Sequence, residues 1–124
     1  MSLRDKALEA FGDIPTETVD AAGLTFEVRG LIVADAAELF DRLTVKDRHG
    51  ETTVDKKRYQ VEWVIAATHD PDTGDKVFEA ADRDTLLGAA AFPVSTLAKA
   101  ALELSGYGGS DEDAARELKS GSST

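Results

Sequence analysis

Apolar residues recur at helical spacing in several stretches of the chain, and residues that favour helix ends bound them. The first stretch covers residues 2–11, with Ser2 as a candidate N-cap and Gly12 just after the last turn. Its apolar stripe consists of Leu3, Ala7, Leu8 and Phe11. The same spacing predicts further helices over residues 34–43, 55–68, 83–90 and 93–105.

The stretch 55–68 begins with charged residues and becomes almost wholly apolar in its second half. Tyr59 and Trp63 fall on one face at helical spacing, and neighbouring apolar residues broaden that face. We therefore predict that this helix is the most buried element. Residues 61–65 fit a strand as well, and periodicity alone leaves both structures open.

A different pattern, strict alternation of apolar and polar residues, marks the segment before the second helix. Leu24, Phe26 and Val28 alternate with polar residues, which predicts a strand. Residues 16–28 are therefore interpreted as a β-hairpin with its turn at Ala22–Gly23. Polar residues 46–53 are expected to form an exposed loop.

Turn and cap residues mark two further segments. Asp70 to Gly74 has the composition of a β-turn, with Gly74 in a left-handed conformation. Asp82 is expected to cap the helix over 83–90, and Pro93 to be the first residue of the last helix.

Together these elements predict an α+β fold in which a small N-terminal β-hairpin or sheet packs with a mainly helical body of about four to five helices. Residues 1–107 are expected to form a single compact domain. Residues 108–124 follow a Gly-Gly-Ser hinge and are expected to form a flexible acidic tail.

The net charge of the chain limits the classes of partner that it can bind. Acidic residues outnumber basic ones by 24 to 14, and the formal net charge is −10. Such a field repels phosphate, so we expect no binding to nucleic acid or to an anionic membrane. The chain has neither an apolar run long enough to cross a bilayer nor an apolar signal core after Met1, which favours a cytoplasmic protein.

Candidate chemistry is sparse. The chain has no Cys, which excludes disulfides, thiolate metal ligands and a cysteine nucleophile. His49 and His69 stand beside acids but form no metal or nucleophile motif, and both are interpreted as solvated surface residues. The acids from Asp70 onward depart from the calcium-loop pattern, because Ala81 occupies the place of the required Glu. We predict no catalytic residue, no cofactor-binding residue and no metal ligand.

The C-terminal half, FEAADRDTLLGAAAFPVSTLAKAALELSG, resembles the tail assembly chaperones of long-tailed bacteriophages and prophages. The features that carry this resemblance are the extended Val77–Glu79, the acidic cap Asp82, and a helix from Pro93 that ends in Leu104–Gly106. The resemblance covers roughly residues 60–119.

The resemblance implies a non-enzymatic protein that binds the tape measure protein and recruits tail tube subunits during tail morphogenesis. It implies a location in the host cytoplasm and absence from the mature virion, and it leaves a homo-oligomer open. The candidate partner contacts are the apolar residues Leu97, Leu102, Leu104 and Tyr107. The alternative for each of them is packing against the helix that carries Trp63.

The sequence leaves two other classes of function open. The net charge suits an acidic protein-binding adaptor or a DNA-mimic inhibitor, although mimicry requires carboxylates spaced along one face and the acids here are scattered. A small enzyme using His69 and its neighbouring acids is the third hypothesis.

Overall fold

The computed structural model describes residues 2–107, and they form the predicted α+β fold. The helices are α1 (Leu3–Phe11), α2 (Val33–Leu43), α3 (Tyr59–Ala67), α4 (Arg83–Leu87) and α5 (Ala91–Leu104), with a 3₁₀ turn at Ala80–Asp82. The strands are β1 (Thr16–Ala21), β2 (Leu24–Arg29), β3 (Thr44–Lys46), β4 (Thr52–Val54) and β5 (Thr68–His69). The predicted acidic tail lies outside the described residues.

The N-terminal hairpin is confirmed with the predicted turn. Strands β1 and β2 pair antiparallel, and Ala22 and Gly23 have φ angles of 53° and 78°. Two consecutive positive φ angles give a turn whose twist matches that of the flanking strands. Strand β5 adds to the other edge of β2, so the sheet order is β1-β2-β5.

Helix α3 lies at the centre of the core, as predicted. Its residues 61–65 are helical, which settles the strand alternative, and the helix begins at Tyr59 because a turn occupies residues 56–58. Helices α2, α4 and α5 all pack against it. Its buried residues are Tyr59, Val61, Glu62, Trp63, Val64, Ile65 and Ala67.

Several predicted boundaries are wrong. The expected loop over residues 46–53 contains part of a second hairpin, in which β3 pairs with β4 and Val54 is buried. Its Thr and Val residues favour extended backbone, and the polar residues form only the tip. Helix α4 ends at Leu87, three residues earlier than predicted.

The predicted helix caps also differ from those in the structure. Asp82 closes a capping box: its Oδ2 accepts a hydrogen bond from the Glu79 N–H at 2.8 Å, before α4 begins. Helix α5 begins two residues before Pro93. Proline is tolerated there because the first four N–H groups of a helix have no intrahelical acceptor.

The chain after β2 is held against the end of α5. The Leu31 N–H donates to Ser105 Oγ at 2.9 Å. At the buried Gly30, an added Cβ would lie 2.7 Å from the Leu104 carbonyl oxygen. A side chain at this position would therefore separate β2 from α5.

Candidate protein-binding surfaces

The structure places the four residues predicted to contact a partner mostly inside the body. Leu97 and Leu102 are 4% and 3% exposed, so the packing alternative holds for both. Leu104 and Tyr107 are half-buried against the core. The prediction that a partner contacts these residues stays a prediction, and at Leu97 and Leu102 it would require the body to open.

Tyr107 belongs to an aromatic cluster that joins the end of α5 to α2 and α3. Its ring centroid lies 5.3 Å from that of Phe40 and 5.6 Å from that of Trp63. The Phe40 contact has the edge-on geometry that aromatic pairs favour. Tyr107 therefore stabilises the body, whatever else its exposed part contacts.

Helix α1, in contrast to α5, is exposed to solvent along its whole length. Ser2 Oγ accepts a hydrogen bond from the Asp5 N–H at 3.1 Å, and the helix ends at Gly12, as predicted. However, none of its residues is buried. Leu3, Leu8 and Phe11 are 83%, 57% and 81% exposed, and we call them the α1 stripe.

Exposed apolar residues continue along the connector after α1. Ile14 and Ile32 are exposed, and both line a groove of about 410 Å³ between this connector and the end of β2. We call the α1 stripe together with Ile14 and Ile32 the N-terminal apolar face. Single exposed apolar side chains are ordinary, whereas several of them in and after one helix favour a binding surface.

A second feature, which the sequence analysis missed, is a buried ion cluster around Glu62. Arg83 binds this carboxylate through two nitrogens, with Nε 2.7 Å from Oε2 and Nη2 2.8 Å from Oε1. Arg42 Nε donates to Oε1 at 3.3 Å, and Arg58 Nη2 lies 3.7 Å from the same oxygen. Helices α2, α3 and α4 therefore meet at one carboxylate.

The environment of Glu62 keeps it ionised. Burial raises the pKa of its carboxyl, but the hydrogen bonds and positive charges of the arginines outweigh burial and bring the pKa below its ordinary value. A carboxylate held in this way is a weak base, because its lone pairs are engaged by guanidinium groups. The cluster therefore links three helices, and its chemistry does not suit proton transfer.

Only part of this cluster could be found in the sequence. Arg58 and Glu62 have the i,i+4 spacing of a helical ion pair. Arg42 and Arg83 lie 20 and 21 residues from Glu62, and nothing in the local pattern pairs them with it.

The two histidines differ from each other. His49 is exposed in the turn between β3 and β4, as predicted. His69 is half-buried in β5, with Nδ1 3.2 Å from the Gly74 carbonyl oxygen, so its interpretation as a solvated residue is only partly right. Burial lowers the pKa of His69, and the nearby charges of Arg29 and Lys76 lower it further.

The turn beside His69 has the predicted form. The Gly74 N–H donates to the Asp70 carbonyl oxygen at 2.8 Å, and Gly74 has a φ of 79°. Within residues 2–107, His, Asp and Glu side chains do not gather in groups of three or more that could hold a metal ion.

Comparisons with family models, with curated proteins and with solved structures give no match to this chain. Among the described residues, none of the helices combines the length and the apolar character needed to cross a membrane.

Proposed function

We propose that this protein is a non-enzymatic binding protein that covers an apolar segment of another polypeptide, in the manner of a phage tail assembly chaperone. The observation that carries the proposal is the α1 stripe, a well-capped helix with its apolar side uncovered. The partners that the resemblance implies are the tape measure protein and tail tube subunits, met in the host cytoplasm before the virion is complete.

The α1 stripe supports binding because its exposure is costly and its helix is short. A helix of nine residues is marginal in water unless its apolar face packs against something. Burying an apolar side chain of this size contributes about 1.5–3 kcal/mol. A partner that covers the stripe would therefore stabilise both the complex and α1 itself.

The size of the N-terminal apolar face suits a reversible complex. Part of the energy gained by burial offsets the loss of translational freedom and the ordering of side chains on association. An interface near the small end of the usual range, ~1,200 Å², fits a partner that must later be released to the tail tube. The net charge of −10 opposes aggregation of the free protein.

Co-expression with the tape measure protein of the same gene cluster tests the proposal. The wild-type chain should raise the soluble fraction of that protein and be recovered with it in a pull-down. The Leu8→Glu/Phe11→Glu variant should lose both effects, because it places charge in the α1 stripe.

The Leu24→Glu variant is the matched control. Leu24 is an exposed leucine at the hairpin turn, outside the N-terminal apolar face, and its replacement should leave capture unchanged. Failure of the wild-type chain to recover either tape measure or tail tube protein would refute the proposal. Equal loss in both variants would show that the N-terminal apolar face is not the binding surface.

A further inference from the structure

A groove at the start of α3 is lined by positive charge, although the net charge of the chain is negative. It has a volume of about 350 Å³ and lies between the start of α3, α4 and the start of α5. Val61, Leu86 and Val94 contribute apolar lining, and the charged residues that line it are Lys56 and Lys57. We call it the basic groove.

Two other grooves differ from the basic groove in the charge of their lining. The groove beside Tyr107 has one charged lining residue, Asp41. In the groove beside His69, the cations Arg29 and Lys76 are balanced by Glu27 and Asp35. The basic groove is thus lined by net positive charge in a chain whose net charge is −10.

We propose that the basic groove binds an acidic amphipathic helical segment of a partner protein. The apolar side of the segment packs on Val61 and Leu86, and its carboxylates pair with Lys56 and Lys57. An acidic segment is repelled by the acidic surface of the chain as a whole, so the basic groove is where charge complementarity favours it. This surface is independent of the N-terminal apolar face.

Arg58 adds positive charge close to the basic groove, although it is not one of the residues that line it. It follows Lys57 directly, and its side chain is about one-third exposed. Glu62 Oε1 already accepts hydrogen bonds from Arg42 and Arg83, and Arg58 Nη2 is 3.7 Å away, beyond hydrogen-bond distance. Arg58 is therefore paired with Glu62 by charge, and among residues 2–107 its buried Nε has no hydrogen-bond partner. Its charge adds to that of Lys56 and Lys57 at this end of α3.

Exposed apolar residues at the edge of the groove fit an amphipathic ligand better than a free anion. Leu87 lines the groove and is exposed, and Phe92, next to the lining residue Ala91, is 83% exposed. Aromatic side chains of this kind are common anchors at the centre of protein interfaces. Two lysines in an acidic chain are also too few to hold a nucleic acid backbone.

The test uses the full chain and a fluorescent synthetic helical peptide with leucines at i, i+3, i+4 and i+7 and glutamates elsewhere. Fluorescence anisotropy should show saturable binding that weakens at least fivefold when NaCl rises from about 50 to 300 mM. A peptide with glutamines in place of the glutamates keeps the apolar side without the charge, and should bind at least fivefold more weakly. No binding of the acidic peptide, or equal binding of both peptides, would overturn the proposal.

The decisive variants carry the same change in charge at different places. Lys56→Glu/Lys57→Glu should weaken binding of the acidic peptide by about tenfold or more. Lys46→Glu/Lys99→Glu changes two exposed lysines outside the groove by the same total charge, and should weaken binding less than threefold. Equal losses in the two double variants would mean that binding depends on the net charge of the chain and not on the basic groove, and would overturn the proposal.

Four further measurements complete the test. Phe92→Ala should weaken binding about threefold, and both double variants should keep the far-UV circular dichroism spectrum of the wild type. Leu8→Glu/Phe11→Glu should bind the acidic peptide as the wild type does, which separates this result from that of the proposed function. A change in the sedimentation of the protein alone in Lys56→Glu/Lys57→Glu would show that a second copy occupies the groove, against the proposal.

Discussion

Helices α1 and α3 have the same length, nine residues, but α1 has no buried residue and α3 is mostly buried. Helix α1 has a well-defined apolar stripe and buries none of it, whereas α3 has apolar residues on nearly every side and buries even the charged Glu62. A one-sided pattern shows which face of a helix is apolar. It does not show whether that face is covered by the same chain.

The difference arises from what surrounds each helix. Helix α3 lies between α2, α4 and α5, so each of its sides meets a neighbour. Helix α1 is joined to β1 by residues 12–15, and among residues 2–107 no other element makes extensive contact with it. The α1 stripe is therefore available for binding, while the apolar residues of α3 hold the body together.

Truncating one leucine of the buried body and one of α1 should give the largest difference in the free energy of unfolding. Leu39→Ala removes a fully buried side chain of α2 and should lower the free energy of unfolding by about 3.5 kcal/mol. Leu3→Ala removes an exposed side chain of the α1 stripe and should change it by less than about 0.5 kcal/mol. Urea unfolding monitored by Trp63 fluorescence measures both. Similar losses in the two variants would mean that α1 packs on the body in solution.

The buried ion cluster predicts the next largest effect. Glu62→Gln leaves three guanidinium groups without their shared charge and should cost about 3 kcal/mol at pH 7. Glu38→Gln is the matched control, because Glu38 forms an exposed ion pair with Arg42 and its loss should cost less than about 0.5 kcal/mol. If the two variants were equally stable, the cluster would add nothing to the body.

The same pair of variants has a predicted pH dependence. The pKa of Glu62 in the folded chain lies below its ordinary value of 4.5, so its stabilising effect is complete above that value. The effect is lost as the pH falls through the lower, folded pKa. The difference between wild type and Glu62→Gln should therefore shrink as urea unfolding is repeated from pH 7 down to about pH 3. A constant difference would show that the protonation of Glu62 does not change over this pH range.

The elements that the sequence predicted well are those whose pattern is local. The hairpin, the turn at Gly74 and all five helices follow from alternation, helical spacing and turn residues. The pairing of Arg42 and Arg83 with Glu62, and the burial of Leu97 and Leu102, depend on which elements meet in space. Neither can be derived from local spacing, because local spacing shows which residues are apolar and not which of them another element covers.

A smaller effect is expected where the backbone itself is tightly packed. In Gly30→Ala the new Cβ would lie 2.7 Å from the Leu104 carbonyl oxygen, so β2 and α5 must separate, at a cost of about 2 kcal/mol. At Gly12, the end of α1, the nearest atom to an added Cβ is 3.4 Å away, and Gly12→Ala should stay within about 0.5 kcal/mol of the wild type. Thermal unfolding followed by circular dichroism compares the two. An unchanged Gly30→Ala would show that this contact yields easily.

The smallest effect on stability should come from disrupting α1 completely. This variant tests whether the body folds without α1. Ala7→Pro removes a hydrogen bond in the middle of α1 and clashes with the preceding turn, so circular dichroism should report the loss of a short helix. The body should still unfold cooperatively with a free energy within about 0.5 kcal/mol of the wild type. Ala98→Pro, at a fully buried position in the middle of α5, should instead destabilise the chain by at least about 3 kcal/mol.

The value of Ala7→Pro is that it separates binding from folding. If α1 exists to present the α1 stripe, this variant should be as stable as the wild type and yet fail to capture the tape measure protein. A stable variant that still captures it would place the binding surface on the body. A strongly destabilised variant would show that α1 belongs to the folded body, so that the contrast between the two helices is one of degree. The outcome therefore decides whether an exposed apolar helix in this chain marks a binding site or a loosely packed part of the core.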